Sequence, residues 1–270
     1  MQLEKQSNKM DRIRVTKEMK TLKSGEYFID SFDNLKLEVE VNSECDILLC
    51  NLSNKSLFKL VINNNSKVTF SVLAENPVNE AKMNIIVKSN ASIDGYFADF
   101  SKENINLNCV IDLDEEGATA NFRLASLAAK EDRKNIDISI NHNSPKTYGK
   151  VDNYGVCKDN AKMTFLGTSY ILHGSIKSKT QQNAKIMVFD EASNAIAKPI
   201  LKIDENDIEA SHAAVVGKIN DEHLFYLTSR GISESDAKEL ITFGYLKPIL
   251  LGFKEEQIKE RISSLIEGRM

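Results

Sequence analysis

Short runs of alternating apolar and polar residues recur along most of the chain, and that period of two restricts its fold more than any other feature. Leu35–Val41, Leu57–Ile62, Lys67–Val72, Met83–Val87 and Ile136–Ile140 each put every second side chain on one apolar face, with β-branched residues prominent. Successive side chains of a strand point to opposite sides, so these runs are strands with one buried face. Polar turn clusters separate them, at Asn63–Ser66, Ser89–Asn90 and Glu115–Gly117. The clusters recur at intervals of a little over twenty residues, from Asn42 through Asn65 and Asn90 to Gly117, without a fixed repeat consensus. Many short strands with turns at that interval suit the coils of a β-solenoid or a β-sandwich, and periodicity does not choose between the two. From the residues alone the fold class is mainly β.

The pattern changes at both ends. Residues 1–26 alternate charges without a clean apolar stripe and read as a lead-in, partly helical. Residues 27–231 make up the β body. After Gly231, Ser233 stands where a helix N-cap belongs and acids follow in the first turn. Ala237, Leu240, Ile241 and Tyr245 then recur at helical spacing. A second helix is expected from about Lys254 to Glu267, with Ile258, Ile262, Leu265 and Ile266 on one stripe. Residues 232–270 are therefore a C-terminal helical segment, sealing the last coil or presenting a face to a partner.

Charge and cysteine usage narrow the function classes. The 35 basic and 39 acidic residues leave a formal net charge of -4, which gives no concentrated basic face for nucleic acid. Apolar runs such as Ile47–Cys50 are far too short to span a bilayer, and Met1–Lys20 carries charges throughout and lacks an apolar signal core. A cytoplasmic protein is expected. Its four cysteines, Cys45, Cys50, Cys109 and Cys157, form no CxxC pair and join no His/Cys cluster with zinc spacing. Taken singly, each reads as a buried free thiol. No Walker A motif and no GxGxxG fingerprint occur, so neither ATP hydrolysis nor dinucleotide chemistry is expected.

One stretch is specific. Pro199, Leu201, Ile203, Asp207, Ser211, His212, Ala214, Gly217 and Asp221 precede a run of Phe225, Tyr226, Leu227, Ser229, Arg230, Gly231 and Ile232. Upstream stand His142, Pro145 and Thr147, then Gly155-Val156, Phe165-Leu166-Gly167, and Gln182 with Asn183. In this register the chain resembles the SufB/SufD family of iron–sulfur cluster assembly proteins, clearly from His142 to Leu251 and in style alone before that. The resemblance implies a right-handed parallel β-helix core with a C-terminal helical segment. It also implies a SufC-type ABC ATPase as partner of that segment, and pairing of two β-helix subunits with a transient cluster built at their interface.

Carried onto this sequence, the resemblance makes His212 an iron or cluster ligand, because the SufD branch has a histidine there. A surface or core histidine bonded to a strand carbonyl is the plain alternative. The SufB branch carries a cysteine where Ile203 stands and a glutamate where Ala213 stands, so the chain is closer to SufD. Cys157 is a second candidate for cluster binding, against an ordinary core position. Phe243, Tyr245 and Leu246 are candidates for a hydrophobic knob on the ATPase, against simple packing on the β body. Reduced flavin is associated with complexes of this family, and no residue here locates it. The expected function is that of a SufD-like subunit beside a SufB-like scaffold and SufC. The alternative within the family is a minimal homodimeric scaffold with SufC. Outside the family, the alternatives are a structural β-solenoid and a carbohydrate-active β-helix enzyme.

Overall fold

The computed structural model describes residues 12–270. From strand β1 (Ile13–Arg14) to strand β17 (Ile208–Lys218), odd-numbered strands stack in one sheet and even-numbered strands in another. Each strand pairs in parallel with the strand two places on, as β15 (Ser178–Val188) does with β17. A sandwich built of hairpins would pair antiparallel strands, so the choice left open by periodicity falls to the β-solenoid.

The coils grow. Asn42, Asn65, Asn90, Gly117, Lys146 and Lys177 hold one corner of successive coils, with φ between 52° and 74°. Equivalent corner residues lie 23, 25, 27, 29 and 31 residues apart in turn. Each coil is thus two residues longer than its predecessor, and strands lengthen from six residues in β4 (Asn34–Val39) to eleven in β17. Because the side-chain period is two, an increment of two keeps every inward position inward. The left-handed corner also explains its residues: asparagine tolerates that region, and Gly117 suits a site where an added Cβ would lie 2.5 Å from Asn90 Oδ1.

Inside the narrow coils the core is apolar. Phe32, Phe58 and Phe70 run through it, the last two stacked with centroids 5.0 Å apart. A second apolar cluster lies on the outer face of the odd-numbered sheet, where Phe28, Leu48, Cys50, Leu73, Ala98, Ala125, Leu127 and Val156 are buried. The C-terminal segment covers them. It comprises α1 (Asp221–Ser229), α2 (Glu234–Leu246), a 3-10 turn (Lys247–Gly252) and α3 (Glu256–Glu267). The α3 stripe of Ile258, Ile262 and Ile266 is buried there. Polar ties hold the segment down: Arg261 to Glu75 at 2.5 Å, Lys254 to Asp46 at 2.9 Å, and Arg269 to Asp132. The helical segment therefore lies along a sheet face and does not plug the end of the solenoid.

Two stretches differ from the expectation. Asp221–Ser229, assigned to the β body, is helical: the Asn220 side chain accepts from the backbone N–H groups of Glu222 and His223, and two acids open its first turn. Within the lead-in, the described part contains β1, β2 (Thr21–Leu22) and the start of β3 (Gly25–Ile29) where partial helix was expected. Those strands pair with the second and third coils, and that pairing outweighs the weak local pattern. Residues 1–11 of the lead-in lie outside the described part.

Gly95 tests how closely the interior is filled. A Cβ there would lie 2.4 Å from the ring of Phe122, its neighbour on the next coil. Gly95→Ala is expected to lower stability by about 1–3 kcal/mol in urea unfolding, with much of the loss recovered in Gly95→Ala/Phe122→Leu.

Candidate functional site

The wide end of the solenoid has open edges. Among the described residues, strand β16 (Asn194–Ile203) has a partner only on one side, in β14 (Lys162–Ile171), and β17 has one only in β15. Their outer edges keep unpaired backbone N–H and C=O groups, a ready template for another strand. Ile196, Ile203, Val215 and Val216 are all 40% or more exposed on this final coil. The register fixes which side chains face inward. Gln182 pairs with His212, and the same column runs back through Val151, Phe122, Gly95, Phe70 and Ile47. All of those earlier members are buried. His212 is consequently an inward-facing residue on the last coil of the described ladder, and it is exposed. Around it the inward positions of the coil are Ala210, Ala214 and Val216 on β17 and Ala197, Pro199, Leu201 and Ile203 on β16.

Behind this mouth the interior turns polar. His142 is fully buried, and its Nδ1 shares a 2.8 Å hydrogen bond with Thr147 Oγ1, which lies 2.8 Å from Ser178 Oγ. One coil further out, Thr180 Oγ1 donates to Ser169 Oγ at 2.7 Å and Gln182 Nε2 donates to the same oxygen at 2.6 Å. Three inward polar atoms, His142 Nε2, Asn153 Oδ1 and Gln182 Oε1, have no hydrogen-bond partner among the described residues. Burial pushes the His142 imidazole down to about 4, so the ring is neutral at physiological pH.

The thiols lie elsewhere. Cys157 is fully buried at the end of β13 (Tyr148–Cys157), where its Sγ donates to the carbonyl of Ala161 at 3.3 Å. Burial raises its pKa to about 11, and those of Cys45, Cys50 and Cys109 to about 11, 12 and 12. A buried thiol held protonated is neither a nucleophile nor a ready iron ligand. Cys157 thus differs from His212 in burial, although its Sγ lies 3.8 Å from the carbonyl oxygen of Asn194 at the start of β16. No group of three or more His, Cys, Asp or Glu side chains is placed to hold a metal ion among the described residues. The site offers one imidazole and no complete ligand set. No helix among the described residues is long and apolar enough to cross a membrane.

The three aromatic and aliphatic candidates on α2 also part company. Leu246 is fully buried in the cluster under the helices, and Tyr245 packs edge-on against Tyr154 with centroids 5.8 Å apart. Phe243 alone lines the groove between α2, the 3-10 turn and α3, a hollow of about 940 Å³. The apolar side chains that do face outward are Phe225 at 73%, Tyr226 at 56%, Leu240 at 53% and Leu251 at 76%. Helix α1 buries none of its residues. The apolar run Leu224–Leu227 reads locally as a strand, so nothing in the order of the residues marks Phe225 and Tyr226 as surface groups of a helix.

A family model described as the SufBD core domain of SUF-system FeS cluster assembly matches residues 23–245. The chain belongs to this family. Among curated relatives of this SufBD-core protein, SufD of Bacillus subtilis is 32% identical over 155 residues, covering 57% of the chain and 36% of the relative. SufD of Escherichia coli is 24% identical over 163 residues, covering 60% and 38%. SufB of Bacillus subtilis is 29% identical over 133 residues, covering 49% and 29%. The matches to these relatives span between 29% and 38% of their length.

The buried imidazole sets a pH dependence. Its folded pKa of about 4 lies below the ordinary 6.5, so the unfolded chain takes up this proton first as pH falls. Its stabilising contribution is intact above pH 6.5 and drains away between 6.5 and about 4. Unfolding free energies from urea titrations are expected to fall further between pH 7 and pH 4.5 for the wild type than for His142→Gln, by up to about 3 kcal/mol.

Proposed function

We propose that this SufBD-core protein is a SufD-like subunit that supports iron–sulfur cluster assembly without catalysing a reaction of its own. The observation that carries the reading is the open wide end, where two unpaired strand edges flank an exposed, inward-facing His212. An edge of ten to eleven residues per sheet is a pairing surface for another wide end of the same kind. A single imidazole on that surface suits a cluster carried as cargo, because a site that must release its cargo shares its ligands with a partner. Soft thiolate ligands would come from that partner, a SufB-like paralogue with a cysteine on the edge strand, since Ile203 supplies none here. The somewhat higher identity to SufD than to SufB of the same organism supports the SufD side of the pair. His212 is the cluster-binding residue of this reading; Cys157, buried and protonated, is left to packing.

The helical segment supplies the second surface. Phe225, Tyr226, Leu240 and Leu251 are exposed, and Phe243 lines the groove beside the last of them. A SufC-type ATPase docks there, while Tyr245 and Leu246 hold the segment to the β body.

Co-expression with a SufC-type ATPase, with and without a cysteine-bearing SufB-like paralogue, followed by anaerobic reconstitution with iron and sulfide, tests both surfaces. Visible absorbance and iron content are expected only when the paralogue is present, and to drop several-fold with His212→Ala. Phe225→Glu/Leu251→Glu is expected to abolish co-elution of the ATPase while leaving the far-UV spectrum unchanged. Cluster formation with the ATPase alone, lost in His212→Ala, would instead make the chain a homodimeric scaffold. Absence of both cluster and ATPase binding in every mixture would overturn the reading.

A further inference from the structure

The guanidinium of Arg12 joins three stretches of chain that are remote in sequence. Its side chain is 3% exposed. Nη1 donates to Asp46 Oδ1 at 2.6 Å, to the Asp46 carbonyl at 3.1 Å and to the Tyr27 carbonyl at 3.3 Å. Cys45 and Ile47 face the interior, so Asp46 between them on β5 (Glu44–Cys50) faces outward, toward the helical segment. Nε of Arg12 donates to Glu255 Oε1. Glu255 is the N-cap of α3, and its side chain caps no backbone N–H because it turns back to Arg12. Beside it, Lys254 Nζ lies 2.7 Å from Glu26 and 2.9 Å from Asp46. Lead-in, early coils and the start of α3 meet at one cation.

Between Phe253 and Ile258 no side chain is buried, so polar contacts hold this stretch. The 3-10 turn before it has anchors of its own. Gly252 lies against Tyr96, where a Cβ would be 2.1 Å from the ring, and its carbonyl accepts from Ser71 Oγ. The far end of the segment is tied by Arg269 to Asp132. Glu255 has Arg12 as its one paired cation among the described residues, and its Oε2 is buried without a partner there. Taking the cation away strands a half-buried carboxylate, and bringing Glu255 to water relieves that cost. Because Glu255 opens α3, relief means lifting the first turn of the helix. We infer that Arg12 is a positioning residue for the docking groove, a strap through which the lead-in holds the first turn of α3 and fixes the groove wall formed by Glu256 and Lys259. The inference rests on the reading of that groove as the docking place of an ATPase and adds what keeps it in shape. Pairing of β1 with β3 sets Arg12 in place, so the groove depends on a strand at the opposite end of the sequence.

Backbone hydrogen exchange of the full chain reads the first turn of α3 through the amides of Ile258 and Lys259, which both donate to the Glu255 carbonyl. In Arg12→Met these amides are expected to exchange at least about tenfold faster, while those of β11 (Thr119–Ala128) keep their protection. Arg12→Met/Glu255→Gln removes the stranded charge as well and is expected to return most of the protection, which loss of packing alone would not allow. Arg14→Met removes the neighbouring exposed pair with Asp30 and is expected to leave α3 unchanged. Titration with a SufC-type ATPase is expected to show Kd about fivefold higher for Arg12→Met, as the closed groove becomes only fractionally populated, and near the wild-type value for the double variant. Should Arg12→Met fail to fold, Glu255→Lys sets a second cation against Arg12 with the lead-in untouched and is expected to speed the same amides. Exchange at Ile258 and Lys259 unchanged in the folded variants, or ATPase affinity unchanged where exchange has risen, would overturn the inference. An ATPase that binds Phe225→Glu/Leu251→Glu as tightly as the wild type would sink the docking reading instead, while exchange still decides whether Arg12 holds α3.

Discussion

The parallel hydrogen-bond ladder between coils is the constraint from which the rest of the molecule follows. Each strand reads the strand two places before it, residue for residue, and the register shift between Ile105 and Leu107 is quickly absorbed. Under that rule a side chain's direction is inherited from the coil below. His212 faces inward because Ile47, Phe70 and Phe122 do, far away in sequence. The corner residues in left-handed conformation make the rule repeatable, since each lets the chain change sheets without consuming an odd number of positions.

Energetically the two ends of the ladder behave differently. The narrow coils bury aromatic and aliphatic side chains and supply the hydrophobic term. The wide coils trade part of that for polar groups, and several of those groups lack a partner among the described residues, at a cost of about 1–3 kcal/mol each. The outer face of the odd-numbered sheet recovers apolar burial under the helical segment. The Arg269–Asp132 contact, beside a fully buried Lys134–Asp99 pair whose Nζ donates to the Ser101 carbonyl at 2.7 Å, fastens that segment mid-body. The helices are consequently committed to a lateral face, and among the described residues none covers the wide end.

Much of this is legible in the order of the residues. Alternation marks the strands from Leu35 to Ile140, and the Ser233 cap with the Ile258–Ile262–Ile266 stripe marks two of the three helices. The repeat itself is hidden, because corners at 42, 65, 90, 117 and 146 never recur at a constant interval. Growth by two preserves parity and destroys period, so a search for a fixed spacing finds only irregularity. Helix α1 is hidden because its Phe-Tyr-Leu run favours strand locally, while the Asn220 cap and the end of the ladder at Lys218 decide otherwise. At the site, motif register points to His212. The burial of Cys157 and Leu246 depends on what packs against them across the fold, and spacing along the chain does not encode that.

The taper also gives the molecule a direction. Chains with open strand edges at equal ends risk adding to one another head to tail without limit. Here a wide end of ten- and eleven-residue strands would meet a narrow end that opens with two-residue strands. Most of the wide edge would find no backbone opposite it. A wide edge is matched in length only by another wide edge, and two such edges facing each other leave nothing free to extend. Unequal ends of the described ladder thus leave a head-to-tail contact poorly matched in length, which disfavours fibre growth by that route.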